Sequence, residues 1–145
     1  MLATVQRVSY AKVTIEGEHY SSIGNGCLIF VCVEQDETYE RVHEMVKKII
    51  NFKMLDGPKG ITSLSLKDTN EEVLIVSQFT LAAITNKGNK PSFHKAAKPQ
   101  DAKLMYDEFV NQFEKLFKNV HKGKFGAFME VALTNKGPVT FNFKT

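Results

Sequence analysis

Apolar and polar residues alternate from Val5 to Ile15, a pattern typical of half-buried β-structure, either two short strands or one bent strand. Over 5–15 the alternation places Val13 and Ile15 on one face, with polar residues between them. Two short turn sequences follow, and a continuously apolar run over 27–33 then predicts a strand that is buried on both faces. Residues 5–33 are therefore expected to form strands joined by turns.

Two later segments have the periodicity of amphipathic helices. The first extends from about Thr38 to Phe52, and either Asp36 or Thr38 can cap its amino-terminal end. The second begins after Pro99 and extends to about residue 117. Its apolar stripe consists of Met105, Phe109, Phe113, Leu116 and Phe117. Both stripes are expected to face the core.

The remaining apolar runs predict the other strands. Segments 72–81 and 125–133 have strand character, the first turning polar at its end, and a turn is expected at 56–60. A last strand surrounds Gly137-Pro138, although proline gives no N–H to a β-ladder. About six strands and two helices in 145 residues predict a single α+β domain, 1–145, with a mostly antiparallel sheet.

Composition narrows the class of protein. The net charge of +3 is a mild basic bias, compatible with a phosphate or nucleic-acid partner. There is no run of 18 apolar residues and no apolar leader, so we expect neither a membrane span nor a signal peptide. Cys27 and Cys32 lie five residues apart on one strand and cannot bridge each other. Reduced core cysteines suggest a cytoplasmic protein.

Several common kinds of catalytic site are missing from the sequence. The four histidines and two cysteines do not have the spacing of metal ligands, and no glycine-rich phosphate loop or GxSxG motif is present. We therefore expect no metal and no cofactor. Catalysis would have to use a hydroxyl, the backbone, or groups that the substrate brings.

Two features allow both a structural and a functional interpretation. Ser77, Gln78, Phe79 and Thr80 end an apolar strand; they could simply enter a loop, or they could offer free N–H groups to an oxyanion. Lysines occur without acidic residues in 77–100 and again in 115–129. These stretches could be solvated surfaces or phosphate-contacting ones.

Five motifs together resemble one protein family. They are "VQRVSYAKVTIEGE" at the start, "VSQFTL" at 76–81, "KGNKPSF" at 87–93, "KFGAFMEV" at 124–131 and "TNKGPVTF" at 134–141. Their order and spacing match the D-aminoacyl-tRNA deacylases over nearly the whole chain. The resemblance implies a compact, β-barrel-like α+β fold. It also implies a cytoplasmic homodimer that hydrolyses the ester between a D-amino acid and the terminal adenosine of tRNA.

The resemblance assigns a role to Gly137-Pro138. In the family this motif of one subunit reaches into the active site of the other, with a cis peptide bond between the two residues. A rigid wall made only of backbone would exclude the side chain of an L-amino acid while accepting many D-amino acids. It would discriminate weakly against achiral glycine, so glycyl-tRNA mischarged on tRNA-Ala would also be a substrate.

The resemblance also distributes other roles along the chain. Ser77, Gln78, Phe79 and Thr80 would form the catalytic edge. No base is visible beside Thr80, the family's candidate nucleophile, which favours attack by water with help from the ribose 2′-hydroxyl. The remaining assignments are adenosine binding for Phe125 and Met129, bracing of the Gly-Pro motif for Arg7, and tRNA phosphate contacts for Lys87, Lys90 and Lys95.

Some features depart from the family, and other functions remain open. Lys136 stands where the family usually has Asp, which reverses the local charge. The alternatives are a nucleic-acid-binding protein of the same fold without hydrolytic activity, another ester or thioester hydrolase, and an L-alanyl-tRNA-correcting paralogue with a trans Gly-Pro. Animal relatives linked to the first alternative tend to carry a C-terminal tail, whereas this sequence stops at Thr145, so we expect the enzyme.

Overall fold

Eight strands, two α-helices and two 3₁₀-helices form the part of the chain that the computed structural model describes, residues 1–86 and 88–145. The strands are β1 (Leu2–Ile15), β2 (Glu18–Ile23), β3 (Gly26–Cys32), β4 (Leu55–Gly57), β5 (Gly60–Leu64), β6 (Glu72–Ser77), β7 (Val120–Lys122) and β8 (Glu130–Lys144). The helices are α1 (Tyr39–Asn51) and α2 (Pro99–Leu116), with 3₁₀-helices at Leu66–Asp68 and Phe79–Ala82.

The main sheet has six strands and is mixed, so the prediction of a mostly antiparallel sheet is wrong. Strand β1 pairs antiparallel with β2, β3 and β8, whereas β3 pairs with β6, and β6 with β7, in parallel. Parallel neighbours need a crossover connection, and the segments that contain α1 and α2 supply it. The α+β class and the nearly closed, barrel-like curvature of the sheet agree with the prediction.

Both helices lie close to their predicted bounds. Thr38 caps α1, since its Oγ1 accepts a hydrogen bond from the Arg41 N–H at 3.4 Å. Phe109 and Phe113 of α2 are fully buried. Leu116, however, is 53% exposed and does not belong to the buried stripe, whereas Phe117 is partly buried and packs against the core.

The sheet separates two apolar cores. The larger core lies between the sheet and the two helices, and the smaller lies within the curve formed by β1, β3, β6 and β8. Cys27 and Cys32 are buried free thiols, as their place in an apolar strand predicts. Burial raises the pKa of Cys27 to about 12, which keeps this thiol protonated and unreactive at neutral pH.

Two strand predictions are wrong at their ends. The strand predicted over 72–81 stops at Ser77, because the parallel ladder with β3 ends there and the chain turns into a 3₁₀-helix. The strand predicted over 125–133 begins only at Glu130. Residues 123–129 form a loop instead, with a left-handed turn at Gly126, whose φ is 76°. The turn expected at 56–60 joins β4 to β5.

Candidate active site

A cavity of about 530 Å³ opens where β3 and β6 end, next to the first turns of α2. Residues of these three elements form one wall of the cavity. The opposite wall is formed by the loop 123–129, which we call the rim loop. The residues that line the cavity include Cys32, Ser77, Gln78, Phe79, Phe93, Ala102, Tyr106, Phe125, Phe128 and Met129.

The polar end of β6 forms one edge of this cavity. The Gln78 N–H donates to the Val31 carbonyl oxygen at 2.8 Å, the last backbone bond between β6 and β3. Beyond it, within the described residues, the N–H groups of Phe79 and Thr80 donate to no acceptor, as expected for the first positions of a helix. Two backbone donors are thus left at the edge of an apolar cavity.

Side chains at this edge provide no strong base. Gln78 donates its side-chain amide to the Thr80 hydroxyl, and Thr80 lies just outside the residues that line the cavity. Among the lining residues that the structure describes, none is a histidine, aspartate or glutamate. The arrangement can stabilise negative charge on a carbonyl oxygen, but it cannot readily deprotonate a hydroxyl.

Cys32 supports the edge from below. Its Sγ lies 3.5 Å from the carbonyl oxygen of Phe79, and burial raises the pKa of the thiol. The neutral thiol packs against the inner side of the 3₁₀-helix Phe79–Ala82. This contact helps to hold the helix at the mouth of the cavity.

Aromatic side chains form the opposite wall. Phe125 and Met129 of the rim loop both line the cavity, and the Phe125 ring lies 5.5 Å from the ring of Tyr106, centroid to centroid. The Tyr106 hydroxyl donates to the Ile75 carbonyl oxygen at 3.1 Å, and burial raises its pKa, so the tyrosine remains a neutral structural group. A flat apolar wall of this kind can hold a nucleobase.

Gly137 and Pro138 lie at an exposed bulge of β8, which we call the Gly-Pro tip. Four consecutive residues that include them lie opposite Arg7 alone in the pairing of β8 with β1. Asn135 closes the base of the bulge: its side chain accepts from the Val139 N–H at 2.7 Å and donates to the Val139 carbonyl oxygen at 3.2 Å. The peptide bond between Gly137 and Pro138 is cis.

Arg7 contacts the inner side of this bulge. The guanidinium is 5% exposed; its Nε–H donates to the Lys136 carbonyl oxygen at 2.8 Å, and Nη1 donates to the carbonyl oxygens of Ile61 and Met54. A Cβ on Gly137 would lie 3.0 Å from Nη2, so the bulge and the guanidinium are in close contact. Backbone carbonyl oxygens therefore supply the partners that this buried charge needs.

An ion pair joins the same bulge to the β4–β5 hairpin. Lys136 Nζ lies 3.3 Å from Asp56 Oδ1, and this hydrogen bond lowers the pKa of the carboxyl. Both side chains are more than two-fifths exposed, so the pair contributes little to stability. The pair does, however, link the bulge of β8 to the β4–β5 hairpin, because Lys136 has Asp56 as its counter-charge.

The structure does not bring the Gly-Pro tip to the cavity of its own chain. Arg7, which faces the tip, pairs with Cys27, whereas Ser77 at the cavity pairs with Val31, four residues further along β3. At about 3.3 Å per residue the two sites are about 13 Å apart along the strands. Among the described residues, those lining the cavity do not include the tip.

Two of the three predicted phosphate-contacting lysines lie within the described residues. Lys90 and Lys95 are exposed, and Lys95 belongs to the segment that also supplies Phe93 to the cavity, but it lines a separate pocket beside Glu34 and Arg41. Lys87 lies outside the residues that the structure describes. Exposed lysines suit a polyanionic ligand, although exposure alone does not assign their role.

Several cavity residues had no predicted role. Phe93 lies within the "KGNKPSF" motif and contacts Phe79 edge to face, with ring centroids 5.0 Å apart. Ala102 and Tyr106 lie one turn apart on α2, but their spacing alone gives no reason to separate them from core residues. Phe128 is part of the rim although it is almost fully exposed.

The described residues contain neither a group of three or more metal-ligating side chains nor a helix long and apolar enough to cross a membrane.

Comparisons with known proteins agree with the geometry. A family model described as D-Tyr-tRNA(Tyr) deacylase matches residues 4–144. A Francisella tularensis protein named D-aminoacyl-tRNA deacylase is 44% identical over 144 residues, which make up 99% of each chain. A protein of the same name from Bacteroides thetaiotaomicron is 44% identical over 146 residues, or 100% of this chain and 97% of its own.

Solved structures share the fold over nearly the full length. One, named c-Myc DNA Unwinding Element Binding Protein, superposes with a TM-score of 0.95 at 39% identity and covers 100% of this chain and 99% of that one. Another, described as "a probable eukaryotic D-amino acid tRNA deacylase", has a TM-score of 0.83 at 18% identity, with 98% and 97% covered. The sequence and family matches confirm the resemblance seen in the motifs: the chain belongs to the D-Tyr-tRNA(Tyr) deacylase family, a family of hydrolases.

Proposed function

We propose that the protein hydrolyses the ester of D-aminoacyl-tRNA in the cytoplasm, releasing a free D-amino acid and tRNA, and spares L-aminoacyl-tRNA. One observation carries the proposal in this chain. The cavity has unpaired backbone donors at one edge, at Phe79 and Thr80, and a flat apolar wall at the other, at Phe125 and Met129. Such a cavity fits an aminoacyl ester attached to an adenosine.

The reaction follows from the groups at the 77–80 edge. A water molecule attacks the ester carbonyl carbon, and the developing oxyanion accepts hydrogen bonds from the N–H groups of Phe79 and Thr80. The bond from that carbon to the ribose 3′-oxygen then breaks, and the 3′-oxygen takes up a proton. Because no carboxylate or imidazole lines the described cavity, the ribose 2′-hydroxyl is the group we assign to relay the proton.

Chiral selection requires the Gly-Pro tip, and a second subunit supplies it in this proposal. The tip is exposed and lies away from the cavity of its own chain, so it is free to enter the cavity of a partner. Gly137 has no Cβ and the Pro138 ring restricts the backbone, so the tip presents a rigid main-chain surface. An L side chain would collide with this surface, whereas D-amino acids and glycine would not.

The surrounding residues position the tRNA and the tip. Phe125 and Met129 hold the terminal adenine, and the lysines at 87, 90 and 95 contact phosphates without reading sequence. Arg7 fixes the tip through its bond to the Lys136 carbonyl oxygen. Ser77 and Gln78 complete the polar edge beside Phe79.

The test compares hydrolysis of D-tyrosyl-tRNA and L-tyrosyl-tRNA by the purified protein. We expect rapid loss of the D ester only. Pro138→Ala should slow D-ester hydrolysis roughly 100-fold, because a small misplacement at a reacting centre has effects of that order. Pro58→Ala, in the exposed β4–β5 turn, is the matched control and should be fully active.

Thr80→Ala distinguishes two mechanisms within the same assay. Retained activity is expected if water attacks and the backbone stabilises the oxyanion, whereas loss of activity on the order of 10⁴-fold would identify the hydroxyl as nucleophile. A folded protein that cleaved neither ester would refute the deacylase proposal as a whole.

A second candidate function is binding of nucleic acid without hydrolysis. It is favoured by one observation, the 39% identical structure whose name describes a DNA-unwinding-element binding protein. The mild net charge of +3 allows such binding but gives no sequence preference. If the protein only bound nucleic acid, both tyrosyl esters would stay intact in the hydrolysis assay although the protein bound the tRNA.

A further inference from the structure

Phe128 is the most exposed large apolar residue of the described chain, with 90% of its surface accessible. It lies in the rim loop between two residues, Phe125 and Met129, that are half buried in the cavity wall. Phe128 belongs to neither apolar core. An exposed phenylalanine is common in isolation, but this one stands at the mouth of a cavity and contributes to its lining.

The rim loop holds the ring in that position. Gly126 takes a left-handed conformation, so the chain reverses direction between Phe125 and Phe128. Beneath the loop, Gly123 is in close contact with Met129, since a Cβ at Gly123 would lie 2.8 Å from the Met129 sulfur. The loop is thus anchored through Met129 and Phe125, while the Phe128 ring remains outside.

Charged residues flank the rim loop on both sides. Lys122 and Lys124 precede its aromatic residues, no acidic residue occurs from 115 to 129, and the exposed Glu130 follows the loop. Lys122 forms an ion pair with Glu114 at 3.2 Å, whereas Lys124 is exposed and forms no ion pair among the described residues. Exposed aromatic rings next to lysines are the combination that binds single-stranded nucleic acid by stacking and phosphate contact.

We propose that the rim loop is a subsite for a second unpaired nucleotide, the one on the 5′ side of the terminal adenosine. The base of this nucleotide stacks on Phe128, and the phosphate that links it to the adenosine lies near Lys124. The inference rests on the proposed function, because it takes the adenosine to occupy the cavity beside Phe125. It adds that the enzyme recognises an unpaired 3′ end and binds it more tightly than an isolated nucleoside.

Direct binding measurements test this subsite without any hydrolysis. Isothermal titration would compare adenosine with the dinucleotide cytidylyl-(3′→5′)-adenosine. We expect the dinucleotide to bind the wild-type protein about tenfold more tightly, within the range that one base stacked on an aromatic ring provides. Phe128→Ala should abolish this tenfold ratio between the two affinities, whereas Phe128→Tyr should keep it.

Tyr39→Ala is the matched control, because Tyr39 is an aromatic residue of α1 that is 49% exposed and lies outside the cavity. Two results would overturn the inference: a dinucleotide advantage that survives Phe128→Ala, or a Phe128→Ala protein that dissociates into monomers in sedimentation, which would make the ring a subunit contact. Failure of the deacylase proposal is seen separately, as intact D-tyrosyl-tRNA after incubation with the wild-type protein.

Discussion

At the scale of single residues, Arg7 is a buried charge held by several backbone carbonyl oxygens. It is 5% exposed within a β-strand, and its guanidinium donates to carbonyl oxygens of three residues, Lys136, Ile61 and Met54. Asp56 Oδ1 lies 3.7 Å from Nη1 and gives the cation a partly exposed counter-charge. Only a planar guanidinium, with several N–H donors, reaches these acceptors at the same time, which explains why arginine rather than lysine suits this position.

Replacing Arg7 should therefore weaken both the fold and the site. We expect Arg7→Met to lower the free energy of unfolding by about 3 kcal/mol, because buried carbonyl oxygens lose their donors. The free energy of unfolding of Arg7→Lys should lie between those of the wild type and Arg7→Met, since an ammonium keeps the charge but lacks the planar, forked set of donors. Urea unfolding at a fixed protein concentration measures this, with Lys12→Met in the same strand as control. An unchanged midpoint for Arg7→Met would show that water replaces the guanidinium.

At the scale of elements, the junction of β3 and β6 sets the position of the cavity edge. Gly26 begins β3 and pairs with Glu72, the first residue of β6, and the parallel ladder then extends to Ser77. A Cβ at Gly26 would lie 1.8 Å from the Glu72 carbonyl oxygen, so a side chain here would require the backbone of the ladder to move. This one glycine thus allows the two strands to start together and fixes where they end.

The matched pair Gly26→Ala and Gly17→Ala isolates this contact. Both glycines have positive φ, but a Cβ at Gly17 would meet no atom within 4 Å. We expect Gly17→Ala to cost about 1 kcal/mol from backbone strain alone. Gly26→Ala should cost about 4 kcal/mol, because steric overlap is added to that strain. Urea unfolding of both variants checks the prediction, and equal losses would show that β3 and β6 can shift apart.

The elements also show what the sequence could and could not predict. Helix α1 was predictable because its apolar period and its Thr38 cap are local properties. The mixed sheet was not, since the pairing of β3 with β6 joins residues more than 40 positions apart. The same limit applies to the site. Motifs grouped the 77–80 edge with Phe125 and Met129, but only tertiary structure shows that they line one cavity.

At the scale of the whole molecule, the groups assigned to one reaction are divided between two places on the chain. The cavity and its backbone donors lie where β3 and β6 end. The Gly-Pro tip lies on the exposed bulge of β8 opposite Arg7, whose partner on β3 is four residues before the end of the ladder with β6. Under the proposed function, a single subunit would bind and activate the ester but would not place the tip against it. A two-fold dimer in which each tip enters the other cavity would complete two sites at once.

Mixed dimers test this arrangement directly. One variant, Ala102→Trp, fills the cavity but keeps the tip; the other, Pro138→Ala, keeps the cavity but alters the tip. Each homodimer should hydrolyse D-tyrosyl-tRNA poorly. In a mixed dimer, however, the intact tip of the first subunit meets the intact cavity of the second. Unfolding and refolding the two together in equal amounts gives about half mixed dimers with one complete site each.

The refolded mixture should therefore recover about a quarter of wild-type activity, since half of the dimers have one working site of two. Mixing the two variants without unfolding is the control, and it should recover activity only as fast as subunits exchange. If each cavity instead used the tip of its own chain, the mixed dimer would contain one blocked cavity and one altered tip, and activity would remain at the level of the homodimers. Recovery of activity thus distinguishes a shared site from a self-contained one.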